Sequence, residues 1–121
     1  MVFSLFPKKE MTDIRYKIKI QPNNMETIKL ELDEKKHGAF NLYVDGKKLG
    51  EMTVSIKPDL LTVYHTGVEP EAEGKGYAKK LLEEMVSYVR ANNLKVLPLC
   101  PYVHAQFKRH PDEYEDIWKK S

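Results

Sequence analysis

Gly74 and Gly76 flank Lys75 in the stretch Glu71-Ala72-Glu73-Gly74-Lys75-Gly76-Tyr77-Ala78, between a run with strand periodicity and a run with helix periodicity. Glycines that open a helix directly after a strand suit phosphate binding. They let the backbone approach a ligand closely, and the unpaired N–H groups of the first helical turn hold a pyrophosphate with help from the helix dipole. Lys75 adds a point charge. A flexible turn whose glycines only serve the bend is the plainer reading of Gly-x-Gly alone. Gly67, at the end of the preceding strand, marks either a bulge or a close approach to the backbone. Pro98 lies within the following strand and cannot donate a ladder hydrogen bond, so that strand lacks a partner on one side there; an ordinary edge-strand proline is the plainer reading. If the two strands are parallel neighbours they splay near their carboxyl ends, and an extended ligand rich in amides can pair with the free edge of Thr66-Gly67-Val68. Two side chains stand beside that gap. Cys100 precedes Pro101 at a helix start, where the dipole favours thiolate, so it suits a nucleophile or an acid; it suits a packed, inert thiol as well. His65 suits a general base, because imidazole is the side-chain type that exchanges protons near neutral pH, with a structural histidine as the alternative.

The elements that must position these residues are legible in the periodicity. Ile14, Tyr16, Ile18 and Ile20 alternate with Arg15, Lys17 and Lys19, which predicts a half-buried strand with a basic outer face. Ile28, Leu30 and Leu32 predict a second strand, and Phe40, Leu42 and Val44 a third. Asp45-Gly46 then gives a tight hairpin, because both central residues of that turn need positive φ. Met52, Val54 and Ile56 form the return strand. Leu61, Val63 and His65, alternating with Thr62, Tyr64 and Thr66, form the next, ending near Val68. Ala78, Leu81, Leu82, Met85, Val86 and Val89 make a helical stripe that Asn92-Asn93 ends. Leu94 to Cys100 is a short apolar strand, and Pro101 and Pro111 each suit the first turn of a further short helix. The expected fold is therefore mixed α+β: an antiparallel meander feeding one right-handed βαβ unit with splayed parallel strands, followed by short C-terminal helices.

Composition bounds the partners. The 121 residues, 41% hydrophobic and 31% charged, suffice for one core. Twenty Lys and Arg against eighteen Asp and Glu leave a net charge of +2, which permits a nucleic-acid partner without implying one. One cysteine excludes an internal disulfide framework and a Cys-rich metal cage, so no metal is expected. No secretory leader is legible and nothing approaches a ~20-residue membrane span. The expectation is a cytoplasmic protein, and a monomer.

The glycine loop before a long helix resembles that of the GNAT superfamily of acetyl-coenzyme-A-dependent acyltransferases, whose loop reads Arg/Gln-x-x-Gly-x-Gly/Ala. Gly74 and Gly76 match; Glu71 stands where Arg or Gln is usual. The chain is more similar to a short single-domain N-acetyltransferase branch, through Leu94-Lys95-Val96-Leu97-Pro98-Leu99-Cys100-Pro101-Tyr102-Val103 and His110-Pro111-Asp112-Glu113-Tyr114. The resemblance covers residues 36–121 as a coenzyme-binding domain and leaves 1–35 as an N-terminal appendage of one or two added strands. It implies a site for acetyl-coenzyme A or coenzyme A. The pantetheine arm would lie beside Thr66, Gly67 and Val68, the pyrophosphate on Glu73, Gly74, Lys75, Gly76, Tyr77 and Ala78, and a further phosphate near Lys75 or Lys79, with Lys108 and Arg109 as weaker candidates. The family's usual tyrosine is replaced by Phe107, which has no hydroxyl, and Tyr102 is the nearer substitute. An acidic residue common at the position of Gly67 is absent.

These readings converge on transfer of an acetyl group to a small-molecule or protein amine, with Cys100, His65 or Tyr102 handling protons. One alternative is a coenzyme-A-binding module without turnover. Another is an interaction domain that presents Arg15, Lys17 and Lys19 to RNA or an acidic protein. That face lacks the aromatics that stack bases, since Tyr16 points the other way.

Overall fold

The structure, a computed structural model, describes residues 25–120; the strand expected over Ile14–Ile20 and its basic face lie outside them. Five strands, β1 (Glu26–Leu32), β2 (His37–Val44), β3 (Lys47–Lys57), β4 (Leu60–Val68) and β5 (Lys95–Pro98), form one sheet in the order β1-β2-β3-β4-β5. The first four pair antiparallel and β5 joins β4 in parallel. Helix α1 (Tyr77–Ala91) makes the crossover between β4 and β5, and α2 (Pro101–Arg109) and α3 (Pro111–Tyr114) follow. This is the mixed fold that the periodicity predicts.

Local chemistry explains each junction. Asp45 and Gly46 sit at φ 51° and 84°, the two left-handed positions of a two-residue hairpin. Asn93, at φ 56°, ends the α1 segment, and both α2 and α3 start on proline. Phe40, Leu42, Met52, Val54, Leu61, Val63 and Val96 occupy one face of the sheet and bury against Leu81, Leu82, Met85 and Val89 of α1. Val103 and Phe107 of α2 join the same core, where Phe107 stacks on Tyr114 at 4.7 Å. Arg90 ties α1 to the C-terminal segment through both oxygens of Asp116 and the carbonyl of Glu113.

Two register shifts interrupt the meander. One lies between β2 and β3, where Leu42 pairs with Gly50 and Tyr43 with Lys48, so Leu49 is the extra residue. The other lies between β3 and β4, where Thr53 pairs with His65 and Val54 with Val63, so Tyr64 is the extra residue. Such bulges turn later side chains to the opposite face. Consequently His65 does not continue the face of Leu61 and Val63, as simple alternation predicts. It stands on the outer face, exposed, while Thr66 shares the core face with Met52.

Candidate functional site

The parallel pair opens where expected. Pairing between β4 and β5 runs from Leu60–Lys95 to Val63–Pro98 and stops, whereas β4 stays paired with β3 as far as Val68. Glu69 N–H bonds to Leu49 O, on the β3 side. The alternation of an antiparallel ladder then directs Gly67 toward β3, and it leaves the N–H and C=O of Thr66 and Val68 on the edge facing β5. Thr66 and Val68 thus present an unpaired strand edge beside a diverging neighbour.

Pro98 contributes to the divergence by a different route from the one its missing donor suggests. The N–H of Val96 bonds to Ile117 O, and its C=O accepts from Lys119 N–H, so Val96 points away from β4. By the two-residue period Pro98 points the same way, and its missing N–H lies on the outer edge. The break comes instead from a tight turn centred on Pro98, in which Leu99 N–H bonds to Leu97 O at 3.2 Å. Proline's fixed φ suits the centre of such a three-residue turn, which cannot continue an extended strand.

Cys100 sits at the point of divergence. Its N–H bonds to Val63 O at 2.9 Å, and its Sγ shares a hydrogen with Thr66 Oγ1 at 3.3 Å, across the gap from β4. The thiol is buried, at 1% exposure. Tyr102, the second residue of α2, is half-buried; burial, reinforced by Cys100 and Glu83, raises its hydroxyl above the ordinary phenol pKa and keeps it protonated. Phe107 is wholly buried and only fills the core.

The glycine loop lies on the connection from the open end of β4 to α1. Gly74 and Gly76 have φ of 85° and 79°, and a Cβ built on either would meet no atom within 4 Å. Gly76 caps α1 with no side-chain hydrogen bond, and the first turn carries no acid. Lys79 and Lys80 occupy that turn although cations are disfavoured at the positive end of a helix dipole, and an anion there would reverse the balance. Lys80 pairs with Glu26, while Lys75 and Lys79 are exposed. Glu73 is exposed at the start of the loop, Tyr77 is buried as the anchor of α1 and Ala78 is half-buried. Glu71 pairs with Lys47 at 2.6 Å, which occupies its carboxylate with the hairpin rather than with the loop.

The outer face of the same strand end carries a group that local spacing does not single out. Glu51 of β3 is the register partner of Gly67. With Lys48, His65, Glu69 and Pro70 they line a polar cavity of about 350 Å³. Hairpin arithmetic would find the pair, because register partners in a hairpin have a constant sum of residue numbers, but only after allowing for the residue that Tyr64 inserts. Among the described residues no cluster of His, Cys, Asp or Glu has the arrangement to hold a metal, and no helix is long and apolar enough to cross a membrane.

Comparison with known proteins identifies the fold that carries this strand pair and loop. The model of the GCN5-related N-acetyl-transferase family matches residues 39–117, from β2 to the end of the fold. A GCN5-like protein from Staphylococcus aureus, solved by NMR, superposes with a TM-score of 0.56 at 26% identity, over 84% of this chain and 93% of that one. The ribosomal-protein-S18-alanine N-acetyltransferase of Escherichia coli gives 0.51 at 18% identity, over 55% of this chain and 43% of that one. An aminoglycoside acetyltransferase from a soil metagenomic sample, solved with sisomicin, gives 0.53 at 14% identity, over 74% and 63%. The chain therefore spans less than two thirds of the length of these last two, and at such identities the likeness is one of fold. No curated protein matches in sequence. With the family's pattern matched from the second strand onward, and its fold shared over 84% of the chain with a GCN5-like protein, the chain belongs to the GCN5-related N-acetyltransferase family.

Proposed function

We propose that the protein binds acetyl-coenzyme A and transfers its acetyl group to a primary amine. The observation that carries this reading is the unpaired edge of Thr66 and Val68 opposite a strand that has turned away, followed by a loop whose Gly74 and Gly76 hold positive φ before α1. The fit is chemical as well as steric. The amides of a pantetheine arm can pair with Thr66 and Val68 as a substitute strand, and the pyrophosphate matches the uncapped N–H groups of Tyr77, Ala78 and Lys79. Lys75 and Lys79 supply charge for the remaining phosphate. When bound, the coenzyme supplies a thioester, an acyl group activated toward amines.

The chain's own residues then have distinct tasks. Thr66 and Val68 orient the acyl end, and an N–H at this edge donates to the thioester carbonyl oxygen, where negative charge develops. Tyr102, held protonated, donates to the departing sulfur. Cys100, buried and bonded to Thr66, fixes the apex from which the strands part. Fixed placement of the amine within ~3.5 Å of the acyl carbon supplies much of the rate.

A second reading, a coenzyme-A-binding module without turnover, is favoured by Phe107, whose ring is committed to the core where the family carries a tyrosine hydroxyl. Thermal shift with acetyl-coenzyme A tests the binding that both readings share, because a ligand that binds only the native state raises its melting temperature. Release of coenzyme A thiol in the presence of sisomicin, spermidine or a peptide with N-terminal alanine separates them. Binding without thiol release under any of these acceptors supports the module; no binding removes both.

A further inference from the structure

We infer that Glu51 is the residue that binds the acceptor's ammonium group and receives its proton, an inference that rests on the acetyltransferase reading and names the acceptor side of that site. It comes from what stands on the outer face of β4, opposite the coenzyme edge. Gly67 has no side chain, and its β3 partner in the ladder is Glu51. Directly paired residues of adjacent strands hold their Cα atoms about 4.5–5.5 Å apart, so a side chain of Glu51's length can extend its carboxylate over Gly67 toward the free edge. His65 borders the same spot. A Cβ built on Gly67 would lie 3.2 Å from His65 Nε2, so the imidazole forms one wall of the space that Gly67 leaves.

The cavity over these residues has the charge for a cation. Its ionisable groups are Glu51, Glu69, Lys48 and His65, two carboxylates against one fixed ammonium. Lys48 already pairs with Glu51, which shows that an ammonium group is held at this carboxylate; the acceptor's would exchange with it. Both register shifts lie close by, at Leu49 and Tyr64, and bulges gather beside sites because they re-aim side chains. Were Leu49 paired in regular alternation, with no register shift, Lys48 and Glu51 would stand on opposite faces of β3.

The step balances as follows. Glu51 takes one proton from the acceptor ammonium and passes it to water. The freed nitrogen pair forms the C–N bond to the acyl carbon of the thioester, the C–S bond breaks with its electrons going to sulfur, and the nitrogen's second proton ends on that sulfur. The products are the amide, coenzyme A thiol and one proton in solution.

The first test needs no coenzyme. Spermidine and sisomicin are titrated into ¹⁵N-labelled protein while the amide resonances of Glu51, His65 and Gly67 are followed. Saturable shifts at these three positions, weakened at least about tenfold in Glu51→Gln, are expected; no shift in the wild type, or the same shift in the variant, overturns the assignment. The second test is kinetic. Glu51→Gln lowers kcat/KM by about 100-fold near neutral pH while leaving the Kd for acetyl-coenzyme A within about twofold. The loss narrows toward pH ~10, where an alkyl amine sheds its proton to solvent unaided. Adding Gly67→Glu to Glu51→Gln moves the carboxylate one strand across and restores at least about tenfold; the only crowding is with the mobile tip of His65. A Glu51→Gln enzyme that keeps its rate within about threefold overturns the proton role. Should acetyl-coenzyme A fail to bind the wild type, the acetyltransferase reading falls, and the amine titration still decides whether Glu51 holds a cation.

Discussion

Gly76 and Gly46 allow backbone strain to be separated from ligand recognition. Their φ angles are 79° and 84°, and a Cβ on either meets nothing within 4 Å, so alanine at either position is strained without a clash. The left-handed conformation costs an L-residue about 1–2 kcal/mol, and replacing glycine recovers about 0.4–1 kcal/mol through the unfolded chain. Each variant should lose about 1 kcal/mol, a drop of about 4 °C in melting temperature for a chain of this size. Their responses to acetyl-coenzyme A should differ. At one hundred times Kd a ligand stabilises by about 2.7 kcal/mol, and a hundredfold loss of affinity leaves about 0.4 kcal/mol of that. Gly46→Ala, in the hairpin turn, should keep the full upward shift, and Gly76→Ala, whose methyl would enter the loop proposed to hold the pyrophosphate, should lose most of it. Differential scanning fluorimetry at fixed coenzyme concentration reads both numbers. Equal ligand shifts in the two variants would refute the placement of the pyrophosphate on this loop.

Three further substitutions test other links. Gly38→Ala puts a Cβ 1.9 Å from Glu31 O and 2.9 Å from Leu32 Cα, so β1 must move off β2; urea titration should show a loss of about 3 kcal/mol or more, and a loss below about 1 kcal/mol contradicts the packing. Asp116 is held below the usual carboxylate range chiefly by its hydrogen bonds to Arg90. A depressed folded pKa gives stability that is present above the unfolded value near ~3.9 and is lost as pH falls through the folded one, so wild type and Asp116→Asn should differ by less than about 1 kcal/mol at neutral pH and converge near pH ~2. A difference that ignores pH rules out the ion pair as its source. Tyr102→Phe should lower kcat by about 10-fold or more at unchanged coenzyme affinity, whereas Cys100→Ser, which can keep the bond to Thr66, should change kcat by less than about threefold; the opposite order would make the thiol the proton donor.

Much of the fold was legible because its signals are local. The Asp45-Gly46 turn, the α1 stripe and the two helix-starting prolines each need only a few neighbouring residues to declare themselves. The gap between β4 and β5 was legible too, although its cause was not: Pro98 reads as a missing donor, and which edge it faces depends on Val96 bonding to the segment after α3. The candidate site was half legible. Gly74, Gly76 and Cys100 stand at element boundaries and carry their own conformational signal. Glu51 carries none, because its meaning lies in a partner sixteen positions away whose register depends on an unmarked bulge. The face of His65 was hidden for the same reason, since alternation carried through Tyr64 puts it on the core side.

That bulge sets both faces of the strand end at once. Continued from the turn without a shift, the pairing of Lys57 with Leu60 would set Thr66 opposite Glu51 and Gly67 opposite Gly50. Thr66 would then stand on the outer face, away from the buried Cys100, and Gly67 would face Leu81 under α1. The Thr66 to Cys100 bond at the apex could not form, and no glycine would lie beside Glu51 to leave its carboxylate room. One inserted residue at Tyr64 corrects both positions together, because side chains and hydrogen-bonding groups alternate with the same period. From Thr66 to Val68 the strand thus leaves its backbone free on the β5 side, keeps Gly67 beside Glu51 on the outer face, and stays anchored to β3 along its other edge.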